Sequence, residues 1–212
     1  MKPRENRNLL NRLNVIIILF IIVSLFSALI PYFKLDLLIS NKIQSINSPV
    51  FTNVMWFVSS IGNRPLMVAI VGVTGILLYL FKLRTEAVIS TLATAGSSLS
   101  GSLIKMLVDR PRPGADHVHV SVWLSDKSYP SGHVLVFTAF FGFLFYLLFK
   151  KSKRKTGEII PAILLILLIT TIGISRIYLG VHWASDVLGG YLLGALWLMF
   201  TIRLYNSYHG KR

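Results

Sequence analysis

Long apolar runs alternate with short polar loops along almost the whole chain. The runs cover Leu13–Tyr32, Pro65–Phe81, Ala87–Val108, Val134–Phe149, Ile159–Ile174 and Val187–Tyr205. The first has about the 20 residues that cross a bilayer, and it follows a basic start, Met1–Arg12. That combination also describes a signal peptide. The length of the run and the lack of a small-x-small cleavage site favour an uncleaved first span. Several later runs are short for an untilted crossing, so their helices are expected to continue into flanking polar residues. Pro65 and Pro161 fall near the starts of their runs, where a missing N–H costs little.

Between the first two runs, Leu35, Leu38, Ile39, Ile43 and Ile46 recur at helical spacing among Lys34, Asn41, Lys42 and Gln44. This pattern predicts a short amphipathic helix in the membrane interface, with Trp56 as an interfacial anchor further along. A gating role and a plain connecting loop resting on lipid both fit residues 34–63. The predicted fold class is all-α: a polytopic membrane bundle of six transmembrane helices, with an interfacial segment between the first and second. Residues 1–212 are expected to form a single membrane-embedded domain.

Composition agrees with this pattern. The chain is 54% hydrophobic and only 14% charged, against about 25% charged in ordinary soluble domains. A net charge of +14 does not point to nucleic acid, because the cations cluster in short loops between apolar runs. Fourteen of the 22 Lys and Arg lie in the N-terminus, the Lys82–Glu86 turn, the Lys150–Lys155 loop and the C-terminal tail. The positive-inside rule therefore predicts cytoplasmic termini in a cell-membrane protein. The Lys150–Lys155 run fits a topology determinant better than a site for anionic lipid. With no cysteine, disulfides, thiolate chemistry and Cys-based metal sites are excluded.

The same topology brings three polar segments to the outer side. In the third run, Ala93, Ser97, Gly101 and Lys105 recur every four residues. Such a stripe lets helices approach closely, and predicts a central helix that aims Lys105 at a polar site; Lys105 snorkelling from a plain packing stripe is the simpler alternative. Arg112 follows in Arg110-Pro111-Arg112-Pro113, where the prolines disfavour helix, and its planar fork suits phosphate. Pro130-Ser131-Gly132-His133 precedes the fourth run. Ser131 is placed to cap that helix, whose first N–H groups, at Gly132 and His133, offer an anion site. An ordinary cap followed by an interfacial histidine fits the tetrapeptide equally well. Ser175-Arg176 and His182-x3-Asp186 form the third segment. On a helix His182 and Asp186 share a face, and a carboxylate on one ring nitrogen leaves the other as nucleophile or base. A structural His–Asp pair shares that spacing. Metal ligation is disfavoured, since the surrounding groups are chiefly cations. Three cations, N–H donors, two histidines and one carboxylate together describe phosphoryl transfer without a metal or other cofactor.

Lys105-x6-Arg112-Pro113, Pro130-Ser131-Gly132-His133 and Ser175-Arg176-x5-His182-x3-Asp186 resemble, in order and spacing, the three-part signature of the type-2 phosphatidate phosphatase (lipid phosphate phosphatase) superfamily. The motif region is 105–186, and the six-span layout resembles the integral-membrane bacterial branch. The resemblance implies a metal-independent phosphoric ester hydrolase. His182 would attack phosphorus, braced by Asp186. His133 would protonate the departing alkoxide and then activate water. Lys105, Arg112, Ser131, Gly132 and Arg176 would hold the phosphate oxygens. Arg110, His117, His119 and Asp126 lie outside the signature and receive no role; the two histidines are expected to be solvated. The expected partners are the bilayer and a membrane lipid phosphate. Phosphatidylglycerol phosphate ranks first, ahead of undecaprenyl pyrophosphate and phosphatidate. The rival classes are a lipid transporter and a non-catalytic lipid-binding protein.

Overall fold

The computed structural model describes residues 3–151 and 157–209, and among these there are eight helices and no strand. Of the cations used to orient the chain, Lys2, Lys153, Arg154, Lys155, Lys211 and Arg212 lie outside the described residues. The helices are α1 (Pro3–Leu29), α2 (Lys34–Gln44), α3 (Pro49–Ile61), α4 (Arg64–Leu80), α5 (Arg84–Val108), α6 (Gly132–Lys151), α7 (Ile159–Tyr178) and α8 (Ala184–His209). Five of them, α1 and α5 to α8, are each long and apolar enough to cross a membrane. α3 and α4, bent by 64° at Gly62-Asn63, qualify only together, as one broken span that brings the number to six or as a re-entrant loop that leaves it at five. As expected, α7 and α8 run past their apolar cores to Tyr178 and back to Ala184.

α3 is absent from the sequence reading, which treats residues 34–63 as interfacial. Its start signal is nonetheless local: Ser48 accepts a hydrogen bond from the Phe51 N–H (3.4 Å), and Pro49 occupies the first turn. α2 sits where the amphipathic pattern predicts, but its apolar positions divide. Leu35 and Leu38 face outward, whereas Ile39 and Ile43 pack on the core.

The central helix is α6, not α5. Of the apolar window of α6, 56% is buried against protein, against 28% for α5. α6 packs on α5, α7 and α8 through Val134, Phe137, Phe140, Phe141 and Phe143. An all-round apolar helix of this kind belongs inside a bundle. The small-residue stripe of α5 is real but covers one face only. A Cβ on Gly101 would meet Leu135 at 2.6 Å, and one on Gly96 would meet the Trp197 ring at 2.5 Å, while Leu92, Leu99 and Leu103 face outward.

Alternating helix direction has one chemical result. The C-termini of α5 and α7 and the N-termini of α6 and α8 meet at one end of the bundle. Lys105 and Arg176 lie in the last turns of the first pair, and His133 and Asp186 in the first turns of the second. Cations at helix C-termini and a carboxylate at a helix N-terminus are the arrangement the helix dipoles favour.

Candidate active site

Lys105, Arg112, Gly132, His133, Arg176 and His182 line one cavity of about 710 Å³. The two histidines, 49 positions apart in sequence, thus face the same space. The cavity continues away from them between α4 and α5. Met67, Val68 and Val71 form its apolar wall; Thr94, Ser98 and Ser102 line the opposite side.

His182 is 2% exposed and lies in the turn before α8 rather than on a helix. It still meets Asp186, because α8 starts with half of a capping box. The Trp183 N–H donates to Asp186 Oδ2 at 2.8 Å, folding the carboxylate back toward the preceding residue. His182 Nδ1 lies 3.5 Å from the same oxygen, longer than a made hydrogen bond, and Nε2 is 3.4 Å from Arg112 Nη1 on the cavity side. Burial, followed by the charges of Arg112, Lys105 and Arg176, pushes the imidazole well below the usual histidine range, so its nitrogens carry no extra proton at neutral pH.

His133 occupies the first turn of α6 and shares a hydrogen bond with the Ser59 backbone, while its Nε2 has no partner among the described residues. The ring rests against the break between α3 and α4: a Cβ on Gly62 would lie 2.1 Å from His133 Cδ2. Glycine is required there by close approach. Ser59 also serves the other wall, since Arg176 Nη1 donates to its hydroxyl at 2.5 Å.

Two signature residues stand behind the cavity wall. Asp186 is fully buried behind His182. Ser131 occupies the cap position, its carbonyl accepting from the Leu135 N–H, but its buried hydroxyl makes no capping bond and has no partner among the described residues. The expected side-chain cap is therefore not formed, and a hydroxyl hydrogen stays available beside the Gly132 backbone.

Asp126 has a place here that its position outside the signature does not announce. Its carboxylate accepts from Arg112 Nη2 at 2.6 Å and lies 3.3 Å from Lys105 Nζ. Burial pushes its proton affinity up, but the charges of Lys105 and Arg112 outweigh this and hold it below the usual carboxylate range. A carboxylate thus sits on two of the cations expected to hold phosphate. Arg110, also outside the signature, is the most deeply enclosed cation of this region. Its guanidinium donates to Asp186 Oδ1 at 2.7 Å and to Asp36 Oδ2 at 2.9 Å. Removing one partner of such a buried ion pair typically costs about 3–5 kcal/mol. One signal was available for Asp36, a carboxylate set into Leu35–Leu38; Ser59 and Gly62 carry none. His117 is not simply solvated: its ring packs edge-on against Tyr32, with centroids 4.5 Å apart.

The PAP2 superfamily model matches residues 86–209, and the chain belongs to that family. It is a multi-pass membrane member of these metal-independent phosphoric ester hydrolases. Over 178 residues it is 28% identical to phosphatidylglycerophosphatase B of Bacillus subtilis (strain 168), covering 81% of this chain and 83% of the relative. Over 198 residues it is 29% identical to an undecaprenyl-diphosphatase of Sulfolobus acidocaldarius, covering 88% and 87%. Its fold superposes on the crystal structure of the transmembrane PAP2-type phosphatidylglycerolphosphate phosphatase from Bacillus subtilis, with a TM-score of 0.80 at 22% identity over 92% of this chain and 96% of that one.

Proposed function

We propose that this protein removes a phosphate from a membrane lipid at the outer face of the cell membrane through a phosphohistidine, with phosphatidylglycerol phosphate as the first-ranked substrate. The observation that carries this reading is the shared cavity. Two histidines, the three signature cations Lys105, Arg112 and Arg176, and the first turn of α6 face one space that extends between α4 and α5, with Arg64 also on its lining. A headgroup phosphate can enter the charged end while its tail stays among apolar side chains.

Within this reading His182 Nε2 attacks phosphorus, and the bond to the lipid oxygen breaks as His133 delivers a proton to it. The neutral state of His182 leaves its lone pair free for attack. Asp186 stabilises the charge that develops on the ring, and Lys105, Arg112 and Arg176 take up charge on the phosphoryl oxygens. Ser131 Oγ and the Gly132 N–H add donors. Water, deprotonated by His133, then attacks the phosphohistidine and releases orthophosphate. Residues 1–212 act as one domain, with both termini in the cytoplasm, the orientation that the distribution of loop cations favours.

Phosphatidylglycerol phosphate is favoured by the Bacillus subtilis relative; the Sulfolobus acidocaldarius relative makes undecaprenyl pyrophosphate the second candidate. The test is phosphate release from a panel of lipid phosphates in detergent with EDTA, comparing wild type with His182→Ala. Wild type should release phosphate without divalent ions, and His182→Ala should lose about 10³-fold or more. Release that requires a divalent ion, or that survives the substitution, would overturn the mechanism. No release from any lipid would favour transport or binding.

A further inference from the structure

Arg110 is buried to 0% side-chain exposure, yet it touches nothing in the cavity. Its donors are used on four partners. Nε donates to the Pro31 carbonyl at 3.0 Å, Nη1 to Asp186 Oδ1 and Ser185 Oγ, both at 2.7 Å, and Nη2 to Asp36 Oδ2 at 2.9 Å. Asp36 belongs to the interfacial helix α2 and is itself buried. Its oxygens accept from the Ser185 N–H and Ser185 Oγ, each at 2.8 Å, and from the Phe33 N–H at 3.0 Å. Asp186 therefore stands in a built frame. Arg110 holds one oxygen; the Ser128 hydroxyl and the Trp183 N–H hold the other, the one turned toward His182.

The chain prepares this frame locally. Asp109 ends α5 in the left-handed conformation (φ 52°), which turns the following residue away from the helix axis. The Ser128 N–H then pairs with the Arg110 carbonyl at 2.9 Å, so the residue gripping one Asp186 oxygen is tied to the residue gripping the other.

A carboxylate so enclosed is expensive to keep ionised unless a cation is fixed beside it. Lys105 and Arg112, the cations nearer the cavity, are positioned for phosphate. We infer that Arg110 and Asp36 are positioning residues for the phosphoryl-transfer step: Arg110 keeps Asp186 charged and aimed at His182, and Asp36 fixes Arg110 from the interfacial helix. This inference rests on the assignment of His182 as nucleophile and Asp186 as its brace. It extends the working site to a helix that precedes the region matched by the family, residues 86–209.

The test separates chemistry from phosphate binding. Wild type, Arg110→Met, Arg110→Lys and Asp36→Asn are purified in detergent and checked for monodispersity. Each is mixed, in single turnover with EDTA, with whichever radiolabelled lipid phosphate of the panel wild type hydrolyses fastest. The rate of base-stable protein labelling reports phosphohistidine formation; competition by inorganic phosphate reports the anion site. Arg110→Met should slow labelling by about 10²-fold, the effect of a misplaced brace, with the inhibition constant for phosphate unchanged within about threefold. Arg110→Lys keeps the charge but not the fork, and should recover part of that loss. Asp36→Asn removes the charge that pairs with Arg110 while keeping the side chain's shape, and should slow labelling by about three- to tenfold. If Arg110→Met does not fold, Asp36→Asn and Arg110→Lys decide the matter through the same two measurements. Labelling at the wild-type rate in the folded variants, or weakening of phosphate inhibition in step with the loss of labelling, would overturn the positioning role. No labelling of wild type itself would instead reject the nucleophile assignment on which the inference stands.

Discussion

Residues 86–209 and residues 10–80 contribute to the same cavity in different ways. The first region carries every group assigned to phosphate: Lys105, Arg112, Gly132, His133, Arg176 and His182 line the cavity from it. The second region supplies none of these, although it adds one further cation, Arg64, to the lining. It provides Ser59, which bonds both Arg176 and His133, Gly62, against which the His133 ring lies, and the apolar wall of Met67, Val68 and Val71. The difference lies in what each task demands. Holding phosphate needs particular charges and ring nitrogens, which few residues supply. Supporting a ring or a guanidinium needs only a hydroxyl, a carbonyl or the lack of a Cβ at one point, which many sequences provide. A supporting region can therefore matter to rate without displaying a motif.

The division of labour can be broken by substitutions on the supporting side. The largest effect is expected at Gly62→Ala, where the new methyl would sit 2.1 Å from the His133 ring. Displacing that ring by a fraction of an ångström should lower kcat by about 10²-fold. Steady-state kinetics on the best lipid phosphate, with folding checked by monodispersity, would show it. An unchanged kcat would mean that the ring finds its working position without this wall. Ser59→Ala comes next. It removes the hydroxyl that receives the Arg176 hydrogen bond, and a bond to a charged group of this kind is worth about 1.5–3 kcal/mol, or roughly tenfold or more in kcat/KM. Ser59→Thr, which restores the hydroxyl, should recover most of it.

A smaller effect of opposite sign is expected within residues 86–209. On the proposed function the Asp126 carboxylate would compete with phosphate for Lys105 and Arg112, but its side chain is 57% exposed and its charge correspondingly screened. Asp126→Asn should therefore lower the inhibition constant for inorganic phosphate by about threefold. A rise would show that Asp126 holds the two cations in position rather than occupying them.

The smallest expected effect concerns pH. His182 has a folded pKa well below the ordinary histidine value, so the unfolded chain takes up a proton first as pH falls. Its contribution to stability is fully present above about 6.5, the ordinary value, and is lost progressively below it as pH drops toward the folded pKa. Thermal unfolding in detergent between pH 7.5 and 5 (values chosen to bracket that range) should show a shallower decline for His182→Gln than for wild type. Equal slopes would place the pH dependence in other groups.

Much of this protein was readable before its structure. Apolar length located the five long spans and α4 of the bent pair, because a span must satisfy its own backbone and expose apolar side chains to lipid, a demand spread over about 20 residues. That Lys105, Arg112, Gly132, His133, Arg176 and His182 would share one cavity was readable from residue type and spacing. α3 escaped notice because its 13 residues are too few for a span and the apolar run breaks at Gly62-Asn63-Arg64.

Tertiary structure decided what depends on partners distant in sequence. Helix periodicity shows the face α5 presents but not what covers it, so only packing could make α6 the central helix. Arg110 is 74 positions from Asp36 and 76 from Asp186, and Ser59 is 117 from Arg176. No local pattern encodes such contacts, since their energy comes from desolvating and pairing groups that meet only when the bundle closes. The sequence by itself determined the class of chemistry and the membrane frame around it. The closed bundle determined which buried groups hold that chemistry in place.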